Sequence, residues 1–238
     1  MPAARLAPYE AACSGTRTDP IELYRWAALL GLAAFDDIAT VEVALRSAMA
    51  SALTATYGPT WSTRTDLLDD QALALIADAT RAGRLTTASS SDQVVQDRLV
   101  SGLMLGFWVK LLGKGTWQGR APRRERRVYD TTLWKPALRH AFPGAGDLDR
   151  ARVASAARRS LVLRNRIAHH EQILWGIPLP GERTADGAMR RVPLGLAHST
   201  VVELADFLDA GLASWLRERS QVPVLLGRCP VDRSRFRL

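Results

Sequence analysis

Apolar side chains recur at helical spacing along nearly the whole of this chain, and no long segment alternates apolar with polar as a strand series requires. Asp19-Pro20 reads as an N-cap followed by proline at the first helical position, and Leu23, Trp26, Ala27, Leu30 and Ala34 follow on one stripe. Ile38, Val41, Leu45, Ala48, Ala52 and Leu53 form a second stripe over 37–57, closed by Gly58-Pro59. The spacing predicts further helices over 66–82, from Ser91 through Leu112, over 128–142 with a break at Pro136, over 148–175 capped by Asp147, and over 199–219. Residues 1–19 read as a flexible lead-in and 113–127 as a Gly- and Arg-rich loop. Residues 176–196 read as a Pro/Gly-rich stretch that folds back into a small hairpin, and 220–238 as a basic tail with a β-prone run at 222–226. The expectation is a single all-α domain over 20–219.

Charge narrows the partners. Thirty-two basic residues, 29 of them arginine, stand against 24 acids, for a net charge of +8. Such a field attracts polyanions, with nucleic acid first, and arginine forks suit phosphate. Two cysteines, Cys13 and Cys229, each near a terminus, form neither a disulfide framework nor a zinc spacing, which fits a reducing, cytoplasmic setting. Met1 to Glu10 has no apolar stretch of the signal-peptide kind, and the longest apolar run, Trp26 to Phe35, is too short to cross a bilayer. No membrane partner is expected.

The chemistry concentrates in one octet, Arg164-Asn165-Arg166-Ile167-Ala168-His169-His170-Glu171, which holds two of the four histidines of the chain. A fixed cation near an imidazole is what phosphodiester chemistry needs: the cation holds the phosphate and the imidazole moves the proton. Taken alone, arginine and histidine on a helix are solvated or paired, here to Glu171. On an ideal helix Arg164 and His169 lie about 140° apart, so one straight helix does not converge them, whereas Asn165 and His169 share a face. A metal site is the competing chemistry. Adjacent His169, His170 and Glu171 point in different directions on a helix, unlike the i,i+4 histidines of a zinc helix, so neither metal nor cofactor is expected.

Together with Tyr24-Arg25-Trp26, Val41-Glu42-Val43-Ala44-Leu45-Arg46, Leu105-Gly106-Phe107-Trp108-Val109, Leu133-Trp134, Ala141-Phe142-Pro143 and Leu163 before it, the octet resembles the Abi-like family of bacterial abortive-infection proteins. That family belongs to the wider HEPN group of helical bundles. The resemblance covers roughly residues 20–175, with a family-like helix after it. It implies a metal-independent endoribonuclease whose Arg-x4–6-His motif forms the site, usually with two copies facing each other across a homodimer interface. Carried over, Arg164 is the motif arginine and Asn165 the polar residue after it. His169 is the motif histidine at the shorter spacing, and His170 satisfies the longer one, so the two histidines stay open alternatives. Attack by the 2′-hydroxyl would leave a 2′,3′-cyclic phosphate. The biology implied is phage defence or growth arrest, under restraint by an antitoxin, a phage trigger or a non-coding RNA.

Other residues extend this reading. Arg120, Arg123, Arg124, Arg126 and Arg127 crowd one loop; they form either a solvated charge run or a clamp on an RNA backbone. Arg150, Arg152, Arg158, Arg159 and Arg166 could continue that basic track, with Arg158, Arg159 and Arg166 the candidate RNA contacts. Glu42 and Arg46 are an i,i+4 pair, and with Glu171 they are candidates for supporting the octet from behind. Phe107, Trp108, Trp26 and Trp134 read as core, His140 as a surface residue, and His198 as lying near the cap of the last helix. Two rivals remain: a non-catalytic RNA-binding module of the same fold, and a sensor or scaffold that binds a protein through an apolar patch.

Overall fold

A computed structural model describes residues 2–83, 85, 93–147 and 150–236. Helix accounts for 66% of the chain and strand for 6%, so the class is all-α. The chain divides into two compact units. The first comprises residues 1–40, 159–203 and 213–238, and the second residues 41–158 and 204–212. Both units draw on the span 20–219 over which one domain is expected, and the helices α2 (Pro20–Tyr57) and α6 (Arg150–Ala168) each lend about one half to each.

The first unit begins with α1 (Ala3–Cys13), where a flexible lead-in was expected. Tertiary contacts order it. Tyr9 packs edge-on against Tyr24 at 5.2 Å, and the Arg235 guanidinium donates to the carbonyls of Ala12 and Ser14 at 3.2 and 2.8 Å. Helix α2 starts as its sequence predicts, with Asp19 Oδ1 accepting from Ile21 N–H at 2.9 Å. It then continues without interruption to Tyr57, where two helices were expected. Asp37, where the second helix was expected to start, is buried in mid-helix. Its carboxylate is taken by His198 Nε2 at 2.7 Å and Ser220 Oγ at 2.6 Å, so it is unavailable to stop the helix.

His198 accordingly sits inside α7 (Leu194–Leu208), not near a cap. The hairpin expected between the octet and α7 is present, as β3 (Ile177–Arg183) paired antiparallel with β4 (Met189–Val192). The last helix divides into α7 and α8 (Ala210–Arg219) because Asp209 Oδ1 caps Leu212 N–H at 2.7 Å and starts a new helix. The β-prone run at 222–226 is instead α9 (Val222–Gly227), with Pro223 in its first turn and Ser220 Oγ accepting from Val222 N–H at 3.2 Å.

In the second unit α3 (Asp70–Ala82) starts later than Asp66, because Asp69 is the cap. The helix expected from Ser91 through Leu112 is two helices, α4 (Gln93–Gly102) and α5 (Leu105–Leu111); the Ser89–Ser91 cap lies outside the described residues. Gly102 ends the first helix, and Trp108 Nε1 donates to the buried Leu103 carbonyl at 3.3 Å. Trp61, Phe107 and Trp108 pack ring to ring at 5.1 to 6.5 Å in the core. The Gly/Arg loop holds a minimal hairpin, β1 (Trp117–Gln118) with β2 (Glu125–Arg126). The segment 128–142 breaks near Pro136 as expected, between a π-type turn at Asp130–Trp134 and a 3₁₀ turn at Leu138–Ala141.

Asp69 holds this second unit together. Its side chain is fully buried and accepts from Ala72 N–H at 2.8 Å, from Lys110 Nζ at 2.9 Å, and from both the backbone N–H and the hydroxyl of Thr116 at 2.9 and 2.8 Å. Burial, the largest influence, pushes this carboxyl up. The bonds from Ala72, Lys110 and Thr116 together outweigh burial and hold it below the usual carboxylate range. A carboxyl depressed in the fold contributes stability that is complete above its unfolded value and is lost as pH falls through its folded value. Asp69→Ala should therefore cost about 3 kcal/mol in urea unfolding at neutral pH. That is the low end for a broken buried pair, because Lys110 keeps a bond to Gln71 Oε1. The gap between variant and wild type should close as acid protonates Asp69.

Candidate functional site

The octet spans the end of α6. The helix stops at Ala168, and does not run on to Trp175; its expected start at Leu148 lies outside the described residues. The stop is a Schellman motif. Glu171 N–H reaches back to Arg166 O at 2.8 Å, and His170 N–H to Ile167 O at 2.9 Å. His170 occupies the left-handed position that glycine usually takes, at φ +53°. Its carbonyl accepts from the Arg5 guanidinium. Arg166 seals the turn: Nη1 pairs with Glu171 at 2.7 Å and Nη2 donates to Gln172 O at 2.9 Å.

This stop changes the geometry that an ideal helix implies. Asn165 still shares the final turn with His169, whose N–H bonds to Asn165 O at 2.9 Å. His169 itself stands just past the last helical residue, exposed, and His170 follows it, also exposed. Their directions are set by the turn and not by a 100° helical step.

Arg164 differs in kind from its neighbours on α6. Arg159 pairs with Glu182 at 2.9 Å, and Arg166 with Glu171. Arg164 is half-buried and has neither a hydrogen-bond nor an ion-pair partner among the described residues; its Nε is wholly buried and unbonded. The guanidinium stands 5.8 Å from the centroid of the Phe35 ring, a contact that supports a cation without neutralising it. A half-buried cation without a counter-ion marks a place where an anion would be stabilised.

Beside the octet lies a cavity of about 250 Å³ in the same unit. Its lining includes Tyr9, Tyr24, Gly31, Leu32, Ile167 and His170. His170 faces this cavity, while neither Arg164 nor His169 lines it.

The remaining candidates separate into paired and free. Arg127 is half-buried and structural, bonding Glu125 at 2.9 Å, Thr65 O at 3.0 Å and Gln118 at 3.2 Å. Arg120, Arg123, Arg124 and Arg126 are exposed around the β1–β2 hairpin, with Arg124 4.9 Å from the Trp117 ring centroid. Arg158 is exposed. Arg150 is held by Leu112 O at 2.6 Å and by Asp130. Glu42 and Arg46 form their i,i+4 pair at 2.7 Å, and Arg46 also donates to Ser101 O at 3.0 Å. Among the described residues no three His, Cys, Asp or Glu side chains converge to hold a metal ion, and no helix is long and apolar enough to cross a membrane.

Sequence reading missed the Asp37–His198–Ser220 cluster, whose members lie 161 and 183 residues apart along the chain. It is not a nucleophilic triad. Ser220 Oγ donates to Asp37 Oδ2 at 2.6 Å, and the one imidazole nitrogen, His198 Nε2, faces both that carboxylate at 2.7 Å and the hydroxyl at 3.4 Å, where a triad would use the two ring nitrogens separately; all three residues are buried. It fastens α2, α7 and the start of α9 together. Comparison with protein-family models, curated proteins and solved structures finds no match to this chain.

The left-handed His170 yields a direct test. His170→Gly removes a penalty of about 1–2 kcal/mol and adds unfolded-state freedom of about 0.5–1 kcal/mol. The variant should be as stable as wild type or more stable by up to roughly 1 kcal/mol in urea titration. A clear loss of stability would mean that the imidazole packs into the fold.

Proposed function

We propose that this chain is a metal-independent endoribonuclease of the Abi-like, HEPN kind, acting in the bacterial cytoplasm in abortive infection or toxin-type phage defence. The observation that carries the reading is the half-buried Arg164 guanidinium, without an acid partner among the described residues, ahead of the exposed His169-His170 pair on a helix where Arg159 and Arg166 pair with acids. Arg164 would hold the nonbridging oxygens of the scissile phosphate through its fork. One of the two histidines would take the proton of the 2′-hydroxyl as it attacks phosphorus. An imidazole, in the same site or from a second copy, would protonate the departing 5′-oxygen, leaving a 2′,3′-cyclic phosphate. Asn165 would orient His169 or bond the phosphate. Glu171 supports the octet indirectly, by holding Arg166.

A homodimer is part of the proposal. Leu29 and Leu32 on α2 are 55% and 64% exposed, and Leu32 lines the same cavity as His170. A second copy covering this strip would bury apolar surface and bring a second octet close to the first. The exposed Arg120, Arg123, Arg124 and Arg126 would carry the RNA backbone outside the site.

The test is cleavage of RNA by purified protein in EDTA. Wild type should cut, leaving cyclic phosphate ends. His169→Ala or His170→Ala, whichever removes the proton-transfer group, should fall by about 10²–10⁴-fold. Arg164→Ala should fall by about 10²–10³-fold, as expected for lost charge stabilisation. All variants should keep the wild-type circular dichroism. If wild type binds RNA but does not cut it, and only Arg164→Ala weakens binding, the chain is an RNA-binding module of the same fold. Three folded variants as active as wild type would remove the octet from the chemistry altogether.

A further inference from the structure

The first unit holds a second and larger cavity, of about 660 Å³, bounded by α2, the β4–α7 junction and the C-terminal turns. Its lining is graded from apolar to basic. Leu30, Ile173, Leu174, Val192 and Leu194 face it and are 2% to 7% exposed, so they form an aliphatic inner wall. Arg190, Leu196 and Arg233 also line it and are exposed, so they stand at the rim. Among the described residues, the only polar side chains on the lining are Arg190, Arg191, Arg233 and the Trp26 indole, and the indole N–H is already taken by Leu225 O at 2.8 Å. A ligand body rich in hydrogen-bonding groups, such as a sugar or a heterocyclic base, would find no side-chain partners along the inner wall. A plain hydrocarbon chain has no such groups to satisfy and gains from leaving water.

The charge on this cavity is one-sided. Three guanidiniums line it, and no carboxylate does. Arg191 is anchored by two backbone carbonyls, Trp175 O at 2.6 Å and Gly176 O at 2.8 Å, which hold its charge in place without cancelling it. Burial, and then the nearby Arg166, pull this guanidinium down from its usual value, while Glu171 acts less strongly the other way. Arg190 has one long contact, 3.4 Å to a Glu182 that Arg159 already engages. Arg233 has neither a hydrogen-bond nor an ion-pair partner among the described residues. An anionic group at the rim would meet forked donors whose charge no acid on the lining cancels.

We propose that this cavity binds a single-chain anionic amphiphile of the fatty-acid class, its alkyl chain along Leu30, Ile173, Leu174 and Leu194 and its head group among Arg190, Arg191 and Arg233. The site shares no residue with the octet, and its occupancy does not depend on RNA cleavage.

Titration calorimetry of the full-length protein with decanoate and with decyl phosphate, each below its micelle concentration, tests it. The two probes separate a carboxylate head from a phosphate head, and saturable binding of either is the expected result. Each buried methylene is worth about four-fold in affinity, so the six-carbon homologue of the probe that binds should be at least ten-fold weaker. Decan-1-ol, which has the chain without the charge, should also be at least ten-fold weaker. Arg233→Glu, and Leu196→Glu at a position 58% exposed, each set a carboxylate at the rim and should weaken binding at least ten-fold. Both changes lie at exposed side chains, and unchanged melting temperatures without ligand would show that the fold is intact. No saturable binding of either ten-carbon probe, no loss on shortening the chain, decan-1-ol as tight as the charged probe, AMP tighter than both probes, or wild-type affinity in both folded variants would each overturn the proposal.

Discussion

The end of helix α6 is held from three sides, and the disposition of the octet depends on that. The Schellman bonds of His170 and Glu171 satisfy two of the last carbonyls. Arg166 ties the departing chain to the helix through Glu171 and Gln172 O. Arg5, delivered by α1, meets the His170 carbonyl. Cations at a helix C-terminus are electrostatically favoured, and both of these are spent on the turn itself. Were the helix to continue, His169 and His170 would point away from each other on its flank. Because it stops, they stand in succession at its end, one turn beyond Arg164.

The charge balance along α6 then distinguishes structure from function. Arg159 and Arg166 have acids, and their pairs secure the β3–β4 hairpin and the turn. Arg164 has an aromatic ring and no acid among the described residues. Stability alone would favour an apolar or paired residue at such a position, as at other half-buried sites. In the proposed function, a guanidinium without a counter-ion on the helix that ends at two exposed imidazoles serves a negatively charged ligand.

The helical class was legible because apolar spacing and caps agree: Asp19-Pro20 and Gly58-Pro59 bound α2 as they read. What misled were residues whose local chemistry is overruled by distant partners. Asp37 reads as the start of a second helix, but α2 runs through it and His198 and Ser220 take its carboxylate. Val222 to Leu226 has β-prone side chains, yet it is helical, with Pro223 in its first turn and the Ser220 hydroxyl accepting from Val222 N–H. The lead-in at 1–19 looks loose until Tyr24 and Arg235 are supplied from elsewhere. At the octet the residue identities were legible, but the stop was not. A histidine in the left-handed position carries no glycine signature, and the clamp by Arg166 is visible only once the turn exists.

The central claim is that Arg164 is left unpaired in order to hold a phosphate. Its most direct measurement is the affinity of wild type and Arg164→Gln for an RNA fully 2′-O-methylated, which can bind but cannot be cut. A charge-assisted bond of about 1.5–3 kcal/mol predicts a loss of roughly 10- to 150-fold in the folded variant. Equal affinity of the two proteins at moderate salt would contradict the account and return Arg164 to a purely structural role over Phe35.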